Sequence, residues 1–441
     1  MPLEVYSSDD ALTIAHANKA FREWPNRQHK NRVEPIGLPK FEPSFHLVPG
    51  EKIFTIGSCF ARNIEAELEK LGFDVVVRGL LDNPIVRADD PLISAMPNVR
   101  DVPSAPSIVN KYTPHSILNE LRWALEPDVA PYPDPGAYYE VSPEKYVDAN
   151  MTNSPQGSLD RTRQRRKTVL EKASEIRECR IVVITPGFIE SWWDNVLKDY
   201  VNLAPPIPYM KRNPGRFELH VLNYQEVTQA FDETHALLQR HLKPDFRIIF
   251  TVSPVPLHVT FRPMDVMVAN AYSKSVLRAA AEEFCQHHDN VDYFPSYESF
   301  MCSNRQVAWE NDLRHPTQAL VKANVHRMIE AYMSISLPGD DPEDLVRQFE
   351  TSVQRQLKEA NSEIAFLREE NVRLSAEKRE LDAQRRRVKQ LEAQCDAQTA
   401  LIDMTQAQLK LSQDTTARYL RQILERDGLL VPSQAAGSGA E

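Results

Sequence analysis

Glycine is scarce in this chain, 13 of 441 residues, and no Gly-rich loop of the kind that cradles phosphates occurs. Chemistry that depends on such a loop is therefore excluded. Cysteine is scarcer still. The five, Cys59, Cys179, Cys285, Cys302 and Cys395, are odd in number, widely spread and free of any C-x-x-C pair. That rules out a disulfide framework and a structural zinc site and points to a reducing compartment, so the cytoplasm is the expected location. No run of 18 apolar residues occurs, and Met1 to Ala20 lacks the apolar core of a signal peptide, so no membrane span is expected. Positive charge is in deficit: 52 Lys and Arg face 62 Asp and Glu, a formal charge of −10. This argues against general binding to a phosphate backbone, and no nucleic-acid partner is expected. His258, His287 and His288 show no ligand spacing with acidic neighbours, so no metal is expected either.

Against these absences one stretch stands out. Ile53 to Ile56 is a short apolar, β-branched run of the kind that forms a buried strand. Gly57 permits a tight turn, and from Ala61 the period becomes helical, with Ile64, Leu68 and Leu71 on one face. Ser58 and Cys59 therefore sit where a strand ends and a helix begins. Free backbone N–H groups and the positive end of the helix dipole converge there. A thiol so placed is expected to ionise more easily than a free one, and an oxyanion would find donors. The same residues also make a plain N-cap with a buried cysteine.

Residues 1–34 read as an extended, proline-bearing lead-in. Strands are predicted at Phe73–Val77, Arg180–Thr185, Arg247–Val252 and Val291–Phe294, with helices at Ser116–Leu125, to Glu178, Tyr224–His241 and residues 264–288. This alternation predicts an α/β fold with a mostly parallel sheet covered on both faces. Residues 127–160 read as a long irregular insertion. Arg161 to Lys167 reads as the solvated start of a helix. Trp192 and Trp193 fit either a sugar-binding wall or core packing. After Pro338 every seventh residue from Val346 to Leu409 is apolar or thiol, a heptad seam with Asn371 at an inner position. It predicts a coiled coil over residues 341–426 and a parallel homodimer, followed by a disordered tail at 427–441. The second chemical mark is Asp312-Leu313-Arg314-His315, in which the carboxylate can reach Nδ1 and leave Nε2 as a general base.

Phe54-Thr55-Ile56-Gly57-Ser58-Cys59-Phe60-Ala61-Arg62 resembles the motif for which the GSCFA family is named. The likeness continues through Asn110-Lys111-Tyr112-Thr113-Pro114-His115, Thr185-Pro186-Gly187, Ser253-Pro254-Val255-Pro256 and Asp312-Leu313-Arg314-His315-Pro316. It spans about residues 35–335, within a domain taken as 35–337. That family looks like a branch of the SGNH/GDSL hydrolases, which implies a three-layer α/β/α fold and an Asp-x-x-His block. The superfamily's nucleophile slot falls on Cys59, with Ser58 where an Asp would stand, so either Cys59 or Ser58 takes the role. The block that supplies an oxyanion Asn has its Gly at Gly187 but Ile189 in place of Asn. Asn110 is the substitute, and Gly57, Thr185 and Gly187 complete the oxyanion and substrate-binding set. The resemblance implies an esterase or acyltransferase acting on a small-molecule or carbohydrate ester, such as an O-acetyl group. It implies no cofactor beyond an acyl-CoA donor if the reaction is a transfer. The alternative is a non-catalytic binding module dimerised or docked by its coiled coil.

Overall fold

Alternating apolar side chains along five short strands determine the centre of the molecule. The computed structural model describes residues 2–17, 19–26, 32–89, 94, 96, 98–102, 105–334 and 342–429. It divides into two units, Met1–Val353 and Gln354–Glu441. In the first, β1 (Lys52–Gly57), β2 (Asp74–Val75), β5 (Ile181–Thr185), β9 (Arg247–Phe250) and β10 (Val291–Tyr293) form one parallel sheet in the order β10-β9-β5-β1-β2. Phe54, Ile56, Val182, Ile184, Ile248 and Phe250 enter one apolar cluster, while Ile53, Ile181, Val183 and Ile249 enter another. Successive side chains point to opposite faces, so both faces are buried and need helices over them.

The helices supply that cover. Phe60, Ile64 and Leu68 of α1 (Cys59–Lys70) share one cluster with Leu320, Val325 and Ile329 of α6 (Gln318–Met333). The other face is covered by α2 (Pro114–Leu125), α3 (Leu159–Ser174), α4 (Tyr224–His241) and α5 (Val266–His287), through residues such as Leu121, Val169, Phe231 and Leu277. The fold is a three-layer α/β/α sandwich, as the alternation of strands and helices predicts.

Several local expectations are corrected. The lead-in is not wholly extended: Ser7 caps a helix over Ser8–His16 that buries none of its residues. The second strand is shorter than Phe73–Val77, because Val76–Asp82 turns into a 3₁₀ helix. The 127–160 insertion contains an antiparallel hairpin, β3 (Tyr138–Ser142) with β4 (Lys145–Asp148). A second small sheet, β7 (Asp199–Val201), β6 (Glu190–Asp194) and β8 (Phe217–Val221), follows β5. The arginine run is not a solvated helix start. Arg165 and Arg166 are buried, Arg161 and Arg165 pair with Asp89 at 3.0 and 2.8 Å, and Arg163 pairs with Asp134 at 2.7 Å.

The second unit consists of the greater part of α7 (Pro342–Arg426), an 85-residue helix. Leu367, Leu374, Leu381, Val388, Ile402 and Leu409 form the heptad row and are all exposed in the single chain. Most of the expected tail, residues 430–441, lies outside the described residues, as does the junction at 335–341. No described helix is long and apolar enough to cross a membrane.

Candidate active site

The sheet order makes β1 and β5 neighbours while the chain leaves them toward opposite edges. At such a switch point the loops beyond the strands' carboxyl ends part and open a crevice. Gly57 ends β1 opposite Thr185. A Cβ on Gly57 would lie 2.2 Å from Thr185 Oγ1 and 2.4 Å from its carbonyl oxygen, so only glycine fits this close approach. The Ser58 N–H donates to that same carbonyl at 3.0 Å. Ser58 Oγ accepts from the Phe60 N–H at 3.2 Å and caps α1. Its side chain is buried and occupied as a cap. Cys59 is the first helical residue and is half-buried at the crevice. The expected acidification of its thiol is overturned. Burial pushes the Cys59 thiol up, and the opposing pull of Arg314, Lys274 and its own N–H does not offset it.

The imidazole arrives from the other end of the domain. Trp309 and Pro316 bridge as an antiparallel pair, and the loop between them is a tight turn with Leu313 at φ 56°. Asp312 Oδ1 accepts from the backbone N–H groups of Arg314 and His315 at 3.0 and 2.9 Å, and Oδ2 lies 2.5 Å from His315 Nδ1. The backbone N–H of His315, with that of Arg314 and the imidazole itself, holds the Asp312 carboxyl far below the usual carboxylate range. The carboxylate thus fixes which ring nitrogen carries hydrogen. Nε2 faces Arg314 Nη2 at 3.3 Å. No hydrogen bond joins Cys59 to His315 among the described residues.

Cys59 and His315 nonetheless line one cleft of about 540 Å³. Ser58, Asn110 and Gly187 also line it, whereas Gly57, Thr185 and Asp312 do not. Gly187 cannot serve as an oxyanion donor through its backbone, because its N–H is taken by the Tyr112 carbonyl at 2.7 Å. Thr185 is fully buried and contributes its carbonyl to Ser58. Asn110 is different. It is buried, its Nδ2 lies 3.4 Å from the Tyr112 hydroxyl, and its Oδ1 has no partner among the described residues. Turned over about its last bond, the amide would accept from Tyr112 and bring its N–H groups to the unpartnered position. Trp192 lines the cleft; Trp193 instead stacks on His220.

What holds these loops in place comes from residues outside the sequence motifs. Lys274 on α5 is buried, and its ammonium donates to the carbonyls of Gly187, Ser253 and Val255 at 2.6, 2.6 and 2.8 Å. It ties the loops after β5 and β9 together beneath the cleft. Burial draws its ammonium down to about 7, against the attraction of the Cys59 thiolate. The legible signal was a lysine flanked by Ser273, Val276 and Leu277 on the buried face of a helix. The opposite wall rests on a buried ion cluster. Arg166 binds Glu120 at 2.8 and 2.9 Å and Asp148 at 2.8 and 3.0 Å, and Lys111 pairs with Glu120 at 3.0 Å. Asn110 and Tyr112 flank Lys111, so the cluster positions both. Among the described residues no group of His, Cys, Asp and Glu is arranged to hold a metal ion.

The model of the GSCFA family matches residues 52–328, which include Cys59, Asn110, Lys274 and His315. No curated protein matches the chain.

Proposed function

The chain belongs to the GSCFA family, and from that premise we propose that it is an SGNH-type esterase or acyltransferase with Cys59 as nucleophile. One observation carries the reading: Cys59 and His315 line the same cleft, and Asp312 grips the far nitrogen of the imidazole. Ser58 is the weaker candidate because its Oγ is engaged as the helix cap. The raised thiol means that Cys59 rests protonated and needs a base. His315 Nε2 leaves Arg314, a contact long enough to be weak, and takes the thiol proton as Sγ bonds to the acyl carbon. The ester C–O bond then breaks, and His315 returns the proton to the departing alkoxide. Water, deprotonated by His315, cleaves the thioester, and the acid departs with Sγ reprotonated. If an acceptor hydroxyl takes the place of water, the same chemistry is a transfer, and an acyl-CoA can be the donor. The Cys59 N–H at the helix start and the Asn110 amide are the proposed oxyanion donors.

The test is turnover of aryl esters and acyl-CoA donors by the wild type beside Cys59→Ala, Ser58→Ala and His315→Ala. Activity lost in Cys59→Ala and His315→Ala supports the mechanism; equal activity in all four proteins removes it. A second reading, a non-catalytic binding module, is favoured by the committed Gly187 N–H and the absence of a Cys59–His315 hydrogen bond among the described residues. It predicts saturable ester binding without turnover. For α7 we propose a parallel homodimer, supported by the exposed heptad row and by Asn371 at an inner position, which sets register in two-stranded coils.

A further inference from the structure

The cleft is lined by polar and apolar side chains together. Asn110, Thr152, Asn153 and Asn202 are among the polar ones. The apolar ones are aromatic and aliphatic. Phe188 stacks on Tyr112 at 5.3 Å, and Trp192 meets Phe261 edge-on at 5.1 Å. Val255 and Leu257 also line the cleft and are nearly buried, while Val259 and Phe261 are 52% and 48% exposed. A short acyl group such as acetyl would leave that apolar lining wet. Apolar surface that continues from a reactive centre to the solvent has a cost unless a ligand covers it.

Resting on the reading of Cys59 as the acyl acceptor, we propose that the acyl group is a linear alkyl chain longer than acetyl, since a cleft of about 540 Å³ is of the size that encloses a whole small-molecule ligand. The chain runs from Cys59 along Phe188 and Trp192 to Phe261, and the alcohol portion faces the asparagines. This differs from the O-acetyl group that the family resemblance suggests. Glu190 holds the lip in place, accepting from Thr260 Oγ1 at 2.7 Å.

The experiment uses the full chain and p-nitrophenyl esters from C2 to C10, with the benzoyl ester as a planar control. kcat/KM should rise about fourfold per added CH2 up to C8, with the benzoyl ester no better than C4. Phe261→Ala, at an exposed loop position where folding is not at stake, should lower the C8-to-C2 ratio about tenfold. A flat or falling series, or a preference for benzoyl, overturns the inference while leaving Cys59 chemistry intact. If no ester is turned over, binding of methyl n-alkyl ketones decides. Affinity that climbs with chain length keeps the chain site and rejects the acyl-transfer reading; affinity independent of length overturns the chain site itself.

Discussion

Gly57→Ala tests the local geometry on which the site is built. The new Cβ meets backbone, the Thr185 carbonyl at 2.4 Å, as well as Thr185 Oγ1 at 2.2 Å. That carbonyl cannot retreat without loosening the Ser58 N–H bond and the β1–β5 pairing. The backbone at φ 152° adds strain of about 1–3 kcal/mol for a non-glycine residue. Forcing overlap in a packed interior adds about 1–3 kcal/mol. The sum is about 2–6 kcal/mol. Gly72 gives an internal control: its φ is 89°, but a Cβ there meets nothing within 4 Å. Gly72→Ala should therefore carry only the left-handed strain, about 1–2 kcal/mol. Urea unfolding followed by tryptophan fluorescence is the suitable assay, because all five tryptophans precede the long helix. With an m-value of about 3 kcal/mol/M, the midpoint should fall by about 0.7–2 M for Gly57→Ala and about 0.3–0.7 M for Gly72→Ala. A Gly57→Ala midpoint at or above that of Gly72→Ala would refute the close approach.

Other outcomes follow from named contacts. Since burial raises the Cys59 thiol, its thiolate is scarce at neutral pH. Iodoacetamide labelling, read on the peptide Ile53–Arg62, should be slower than for a free thiol at pH 7.5 and still climb above pH 9; a plateau below pH 8 would contradict it. Arg166→Met strands Glu120 and Asp148 without their main partner and should cost about 3–5 kcal/mol in urea unfolding. A loss below about 1 kcal/mol would show that the cluster does not brace the wall. Asp312→Asn should lower kcat about a hundredfold with little change in the unfolding midpoint, because it acts on the orientation of His315. Unchanged turnover would remove the Asp312 role. Cys395 falls on the heptad row and is exposed, so mild oxidation should give a disulfide-linked dimer that Cys395→Ser abolishes. A monomeric mass by light scattering at micromolar concentration would refute the coil.

The parts of the fold legible in the sequence are those set by local pattern. Ile53–Ile56, Ile181–Ile184 and Ile248–Phe250 read as buried strands because each is a short run of mostly apolar, β-branched residues. The Asp312–His315 spacing is visible too, and a tight turn makes the link. What stayed hidden depends on distant partners. Arg165 reads as a solvated charge until Asp89, 76 residues away, is brought beside it. The strand β6, Glu190–Asp194, has no clean alternation and is created by its pairing, whereas β8 alternates apolar and polar from Phe217 to Val221 and was a legible strand. At Cys59 the helix start favours the thiolate locally, but burial of the thiol outweighs it. Lys274 was visible as a lysine on an apolar helix face, yet its three carbonyl partners come from loops that only the folded sheet gathers.

The central claim is that the Cys59 sulfur carries an acyl group. Rapid acid quench of the full chain with an octanoyl ester, followed by intact and peptide mass spectrometry, tests it directly. The account predicts one octanoyl adduct on Cys59 within Ile53–Arg62, accumulating in preference to free enzyme when His315 is replaced by Gln and the protein is acylated at high pH. An adduct on Ser58, or turnover that continues in Cys59→Ala with no adduct on the wild type, would contradict it.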